Sequence, residues 1–323
     1  MSYDLQELNV TYERLVNSHC EGIQGVLKFD GLIPGPVIGI TLCTHGNEPS
    51  GLATAHFLMN HLSRSTLLCG TLYLVLNNIE ATRKYFTGNI EVDKICARYV
   101  DVNMNRLPKD VLELMNDSRY EIKRVQELNR IWKRFTVGLD IHTTTASANP
   151  MIVSRGGKFD LIAKLIRGFP INILISNIEH IQRGLPAFTF YGGVGSNIPV
   201  FAIEAGQHND IAAFDRAVIC SKALLQNLGM ILGTPNVTIH DYREYFIDDS
   251  IIFSDQSFDF IKNFKSYDVI SKNELLARNP DGVEIRAPFD GHLIMPTERR
   301  GKDKDISEEV AFVSRPVTIR HQE

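Results

Sequence analysis

Between about residues 20 and 232, strand-length runs of branched apolar residues alternate with stretches whose apolar residues recur at helical spacing. That alternation restricts the fold to the α/β class, with a mixed, largely parallel sheet flanked by helices. Residues 37–43 (VIGITLC) form a continuous apolar run that closes on a polar loop at 44–51. Leu52, Ala55, Leu58 and Leu62 then fall on one helical face, and 72–76 predicts a second strand. Ile122, Val125, Leu128, Trp132 and Phe135 mark an amphipathic helix, with Asp117 or Ser118 as its cap. Further strands are predicted at 137–141, 171–175 and 198–203, and a long helix at 211–228 that ends at Gly229.

After Gly233, Thr234 and Pro235 the pattern changes. Short strand-like pieces at 237–239, 251–253, 283–285, 292–294 and 310–313 are separated by turn-rich sequence. The expected division is a catalytic α/β domain over 1–232 and a small β-rich domain over 233–323.

Composition removes several classes of function. A formal charge of -4 over 323 residues gives no electrostatic case for nucleic acid or an acidic membrane. The first ten residues lack a basic segment followed by an apolar run, so no signal peptide is expected. No apolar stretch approaches the roughly 18–20 residues of a membrane-spanning helix. Five scattered cysteines (Cys20, Cys43, Cys69, Cys96, Cys220) form no C-x-x-C pair, which fits reduced thiols in a cytoplasmic protein.

Four clusters carry chemistry, and two lie just past strand ends, where open α/β sheets place ligands. His45 and Glu48, three residues apart on a tight turn eased by Gly46 and closed by Pro49, can both reach one divalent metal ion. Alone, such a pair in a chain with ten histidines fits a solvated polar turn as well as a metal site. Strand periodicity puts Asp140 and His142 on one side, so His142 can complete the site while Asp140 orients a liganding histidine. Glu204 ends an apolar strand, as a general base beside an activated water would. Arg98 and Arg106, with Asn105, sit in a loop where burial demands an anionic partner.

In this order and spacing, H-G-N-E at 45–48, R-Y-V-D-V-N-M-N-R at 98–106, L-D-I-H at 139–142 and I-E-A-G at 203–206 resemble the succinylglutamate desuccinylase/aspartoacylase family, of zinc carboxypeptidase-like fold. The resemblance spans most of residues 35–230. It implies one Zn²⁺ per chain on His45, Glu48 and His142, with Glu204 as the catalytic carboxylate. It also implies that Arg98 polarises the scissile carbonyl and that Asn105 and Arg106 hold a substrate carboxylate. The β-rich part would border the active-site entrance. The implied activity is deacylation of a small N-acyl amino acid by attack of zinc-bound water. Two departures touch substrate recognition: Val194 stands where the family often carries an arginine, and the last tyrosine of the chain is Tyr267.

The expected partner is therefore a small molecule bearing a carboxylate, with neither nucleic acid nor membrane; homo-oligomerisation is left open. Two rival readings keep the same metal: a metallocarboxypeptidase for short peptides, and a zinc-binding protein without catalysis. Gly192–Gly195 lacks the lysine of a P-loop, His208 reads as a loop histidine, and no serine sits in a G-x-S-x-G elbow.

Overall fold

The computed structural model describes residues 4–63, 66–88, 97–144, 149–155, 159–208, 210–236, 239, 241–297 and 308–321. Cys96, and Val237 and Thr238 of the strand expected at 237–239, lie outside the described residues. The backbone of the fold is a 12-stranded mixed sheet. Cys69–Leu76, Ile33–Leu42, Val137–Thr144 and Val200–Gln207 run parallel in one half of it, in that spatial order. Met151–Ser154 then runs antiparallel to Val200–Gln207 and leads to Ile173–Ser176 and Asp241–Ile251. The sequence pattern gave no sign of Met151–Ser154, whose four residues are too short a run to show a period.

Strand side chains alternate between two faces, and each face has its own core. Leu72, Leu74 and Leu76 pack into one apolar cluster, while Tyr73 and Val75 pack into the other. Helices Ser50–Leu62 and Ile211–Asn227 contribute Leu52, Leu58, Ala217 and Leu224 to the first. Helix Tyr120–Trp132 covers the second with Ile122, Val125, Leu128, Ile131 and Trp132, all fully buried. Burying each such side chain contributes about 1.5–3 kcal/mol, so all three helices are held by their faces rather than by propensity. The sheet also approaches Phe135 closely: a Cβ on Gly39 would stand 1.8 Å from its ring.

The long helix ends as expected, with Gly229 in the left-handed region at φ 66. The cap of the middle helix is corrected. Arg119 is its N-cap, and Asp117 instead accepts from the Arg119 backbone N–H at 2.9 Å. The first helical N–H, that of Tyr120, is satisfied from a distance by Asp101 Oδ2 at 2.7 Å. An N-terminal helix, Leu5–Val16, adds to the first core through Leu8, Tyr12 and Leu15.

Past residue 233 the sheet continues. Residues 243–246 of Asp241–Ile251 pair in parallel with Ile173–Ser176, and residues 247–251 pair antiparallel with Ala311–Ser314. The change of partner thus falls inside one strand. A third apolar cluster, including Phe253, Phe258, Phe264 and Leu276, underlies the C-terminal strands. Among the described residues, no helix is long and apolar enough to cross a membrane.

Candidate metal centre and active site

The parallel register brings the chemical residues to one edge of the sheet. Thr41 is the register partner of Asp140, and His142 that of Glu204. Past Leu42 the chain turns on Cys43, a non-glycine residue at φ 49, and carries His45 and Glu48 over the ends of these strands. Gly46 does not supply the turn's left-handed residue. It is small because a Cβ there would stand 2.2 Å from the backbone of Ala81, and its N–H donates to Arg98 O at 3.0 Å. That contact docks the arginine segment onto the turn.

His45, Glu48 and His142 are all buried, and one ligand atom from each falls within 4.8 Å of the others. His45 Nδ1 lies 2.7 Å from Glu48 Oε1, and His142 Nδ1 lies 2.8 Å from Glu48 Oε2. The opposite ring nitrogens face acceptors too: His45 Nε2 faces Asn103 Oδ1 at 3.0 Å, and His142 Nε2 faces Asp140 Oδ2 at 3.0 Å. Asn103 Oδ1 also accepts the Asn105 N–H, which fixes it as an acceptor. A neutral imidazole has a single N–H, and here Asn103 and Asp140 each claim it at Nε2. Two Nδ1 lone pairs then converge on a carboxylate, an arrangement that calls for a cation or extra protons. Two imidazole nitrogens and one carboxylate oxygen, with a carboxylate behind one ring, are a donor set suited to a divalent ion such as zinc.

The electrostatics of the side chains follow the same geometry. Burial works to raise the Glu48 carboxyl, but the two histidines hold it well below the usual range. Burial disfavours a charged His142 ring, yet Asp140 and Glu48 hold its pKa well above the ordinary value. Burial and the Arg98 charge push His45 down.

Asp140 is itself held by a buried polar network that the sequence did not reveal. Thr41 Oγ1 donates to its Oδ1 at 2.7 Å, and Thr44 Oγ1 does so at 3.0 Å. Tyr191 OH donates to Thr41 Oγ1 at 2.8 Å, and Asn77 Nδ2 to Thr44 Oγ1 at 2.8 Å. A second unforeseen carboxylate, Glu121, anchors the arginine loop. The N–H groups of Val100, Asp101 and Val102 and the Asn78 amide all donate to it, at 2.6–3.1 Å.

Glu204 has a buried Oε2 with no hydrogen-bond partner among the described residues. Burial pushes its carboxyl up to about 8. Arg98 reaches the triad through Nη1, 3.3 Å from Glu48 Oε1. Asn105 Nδ2 lies 3.5 Å from His142 Nε2, and its Oδ1 accepts the Ala187 N–H. Arg106 is placed differently from expectation. Its Nε and Nη2 bind Glu309 Oε2 at 2.9 and 2.8 Å, so the fork expected to hold a substrate carboxylate is filled from within.

Two further residues complete the surroundings. His208, set aside in the sequence, pairs Nδ1 with Thr143 Oγ1 at 2.7 Å, and its Nε2 is buried without a partner among the described residues. Burial pushes it down to about 4, so its ring is neutral. Tyr267 donates to Asn149 O at 3.2 Å and lines a cavity of about 420 Å³ with Gly206, Gln207 and Arg216, just past Glu204 along its strand. Val194 is exposed and joins none of these groups.

Residues 34–216 match the model of the succinylglutamate desuccinylase/aspartoacylase catalytic domain. Among curated proteins, the chain is 30% identical over 152 residues to aspartoacylase of Xenopus tropicalis, covering 42% of this chain and 45% of that protein. It is 29% identical over 165 residues to the N-acyl-aromatic-L-amino acid amidohydrolase (carboxylate-forming) of Rattus norvegicus, covering 47% and 44%. The chain thus spans less than half the length of these relatives. Among solved structures, succinylglutamate desuccinylase from Vibrio cholerae superposes with a TM-score of 0.66 at 14% identity, covering 92% of this chain and 85% of that one. That likeness is one of fold.

Proposed function

The chain belongs to the succinylglutamate desuccinylase/aspartoacylase family, and on that premise we propose that it is a zinc-dependent amidohydrolase that removes the acyl group of small N-acyl amino acids. The observation that carries the proposal is the convergence of two buried Nδ1 atoms on the Glu48 carboxylate, with Asp140 and Asn103 facing the opposite ring nitrogens. His45, Glu48 and His142 would hold the ion. A bound Zn²⁺ would supply Lewis acidity and an acidified water at neutral pH.

The remaining roles fall to the chain's own groups. Asp140 holds His142 with Nδ1 turned inward. Glu204, poised by burial to exchange a proton near neutrality, takes the proton of the attacking water and passes it to the leaving amine. Arg98 stabilises the charge that develops on the carbonyl oxygen, a role worth about 3–4 kcal/mol for a single lost donor in comparable sites. Asn105, whose Nδ2 lies 3.5 Å from His142 Nε2, is taken in this reading to contact the substrate.

Residues 233–323 act in this reading as a β-rich part that borders the entrance. Supporting that placement, Glu308 accepts from Asn103 Nδ2 at 2.8 Å and Glu309 binds Arg106. We place the protein in a reducing cytoplasm, where its cysteines persist as thiols. A hydrolysis screen over N-acetyl, N-succinyl and N-formyl amino acids and short peptides, run with and without chelator, tests the function. Chelator-sensitive cleavage of at least one N-acyl amino acid is expected. Chelator-insensitive cleavage would overturn the zinc assignment.

A further inference from the structure

Arg106 has five N–H donors in a planar fork, the group that would read a carboxylate bidentately. Four are engaged by the protein: Nε and Nη2 on Glu309 Oε2, and Nη1 on Asn105 O at 2.8 Å and Gln182 Oε1 at 3.2 Å. Glu309 is fully buried at its side chain, and its Oε1 is held in turn by the Arg183 backbone N–H. The carboxylate is fixed at both oxygens, and it stands on the residue just before Val310, whose N–H binds Ile251 O in the C-terminal sheet.

We propose that Glu309 determines specificity by binding Arg106 internally and withdrawing it from substrate recognition. A substrate carboxylate brought to this wall would meet an occupied fork and a like charge. On this side the site therefore takes an N-acyl amino acid whose carboxyl is masked, as an amide or a peptide bond, at least as well as the free acid. The inference rests on the deacylase reading and names the substrate class within it.

The test compares kcat/KM for matched pairs, each an N-acetyl amino acid and its carboxamide, with zinc-loaded full chain. Wild type is expected to show an acid-to-amide ratio near or below one. In Glu309→Ala the freed guanidinium should raise that ratio about tenfold to a hundredfold, the range of one charge-assisted contact. The rise should vanish in the double variant Glu309→Ala with Arg106→Ala. Glu309→Gln, which keeps the shape and loses the charge, should move the ratio in the same direction and serves if the alanine variant does not fold. A ratio left unchanged by both variants, or equal losses on acid and amide, would overturn the proposal as a mere packing role. A wild type that strongly prefers acids would overturn it too, while leaving the deacylase reading intact. Failure to cleave any member of the pairs would remove both.

Discussion

Replacing Asp140 by Asn changes one atom in a fully buried site and probes how the metal triad is oriented. Asp140 accepts three hydrogen bonds, from Thr41 at 2.7 Å, Thr44 at 3.0 Å and the His142 ring at 3.0 Å. The two threonine hydroxyls can turn to suit an amide, so the shape of the pocket survives. The His142 ring has less freedom. An amide NH₂ facing Nε2 would favour the tautomer with its proton on Nδ1, and that tautomer has no lone pair to give the metal. If the amide oxygen faces the ring instead, the tautomer is kept but the negative charge behind it is lost. Second-sphere partners of liganding histidines are worth about 10–100-fold in metal affinity. That corresponds to about 1.4–2.7 kcal/mol. Competition for zinc against a chromophoric chelator should show Asp140→Asn weaker by at least about tenfold, with an unchanged far-ultraviolet circular dichroism spectrum. Wild-type zinc affinity in a folded Asp140→Asn protein would refute the orienting role.

Three further outcomes follow from the same structure. Glu204→Ala should lower kcat by at least about a hundredfold, the usual worth of a general base, while zinc content measured by emission spectroscopy stays at the wild-type level. Glu121→Ala strips the acceptor from three consecutive N–H groups, and should cost about 3 kcal/mol in urea unfolding and lower kcat as Arg98 loosens. Glu121→Gln should recover part of both. Gly39→Ala drives a methyl into the Phe135 ring and should destabilise by about 1–3 kcal/mol, read as a lower thermal midpoint with zinc affinity unchanged.

The α/β class and the parallel strands of the sheet were legible because they rest on patterns that repeat. Residues 37–43 form a continuous apolar run of strand length, 137–141 form a strand-length run broken only by Asp140, and Ile122 through Trp132 recur at helical spacing. Asp140 and His142 were paired by strand period alone, and their 3.0 Å contact bears that out. Contacts between distant residues were not legible. Nothing local marks Glu121 as the carboxylate under Val100–Val102, or Asp101 as the donor's partner at the start of the next helix. Arg106 shows the limit most clearly. Its need for an anion was readable from the cost of burying a guanidinium, but the anion that meets it, Glu309, lies some 200 residues away in sequence. Gly46 was read as a turn residue, whereas the positive φ belongs to Cys43 and Gly46 serves close packing against Ala81.

In the proposed mechanism one zinc ion on His45, Glu48 and His142 drives the hydrolysis. The most direct test is to strip the protein with chelator and return Zn²⁺ in fractional steps, following the cleavage rate of the substrate found in the screen. The expected result is no rate at zero metal and a linear rise that breaks at one equivalent per chain. A rate that persists without metal, or a rise to one equivalent that is equal in His142→Ala, would contradict it.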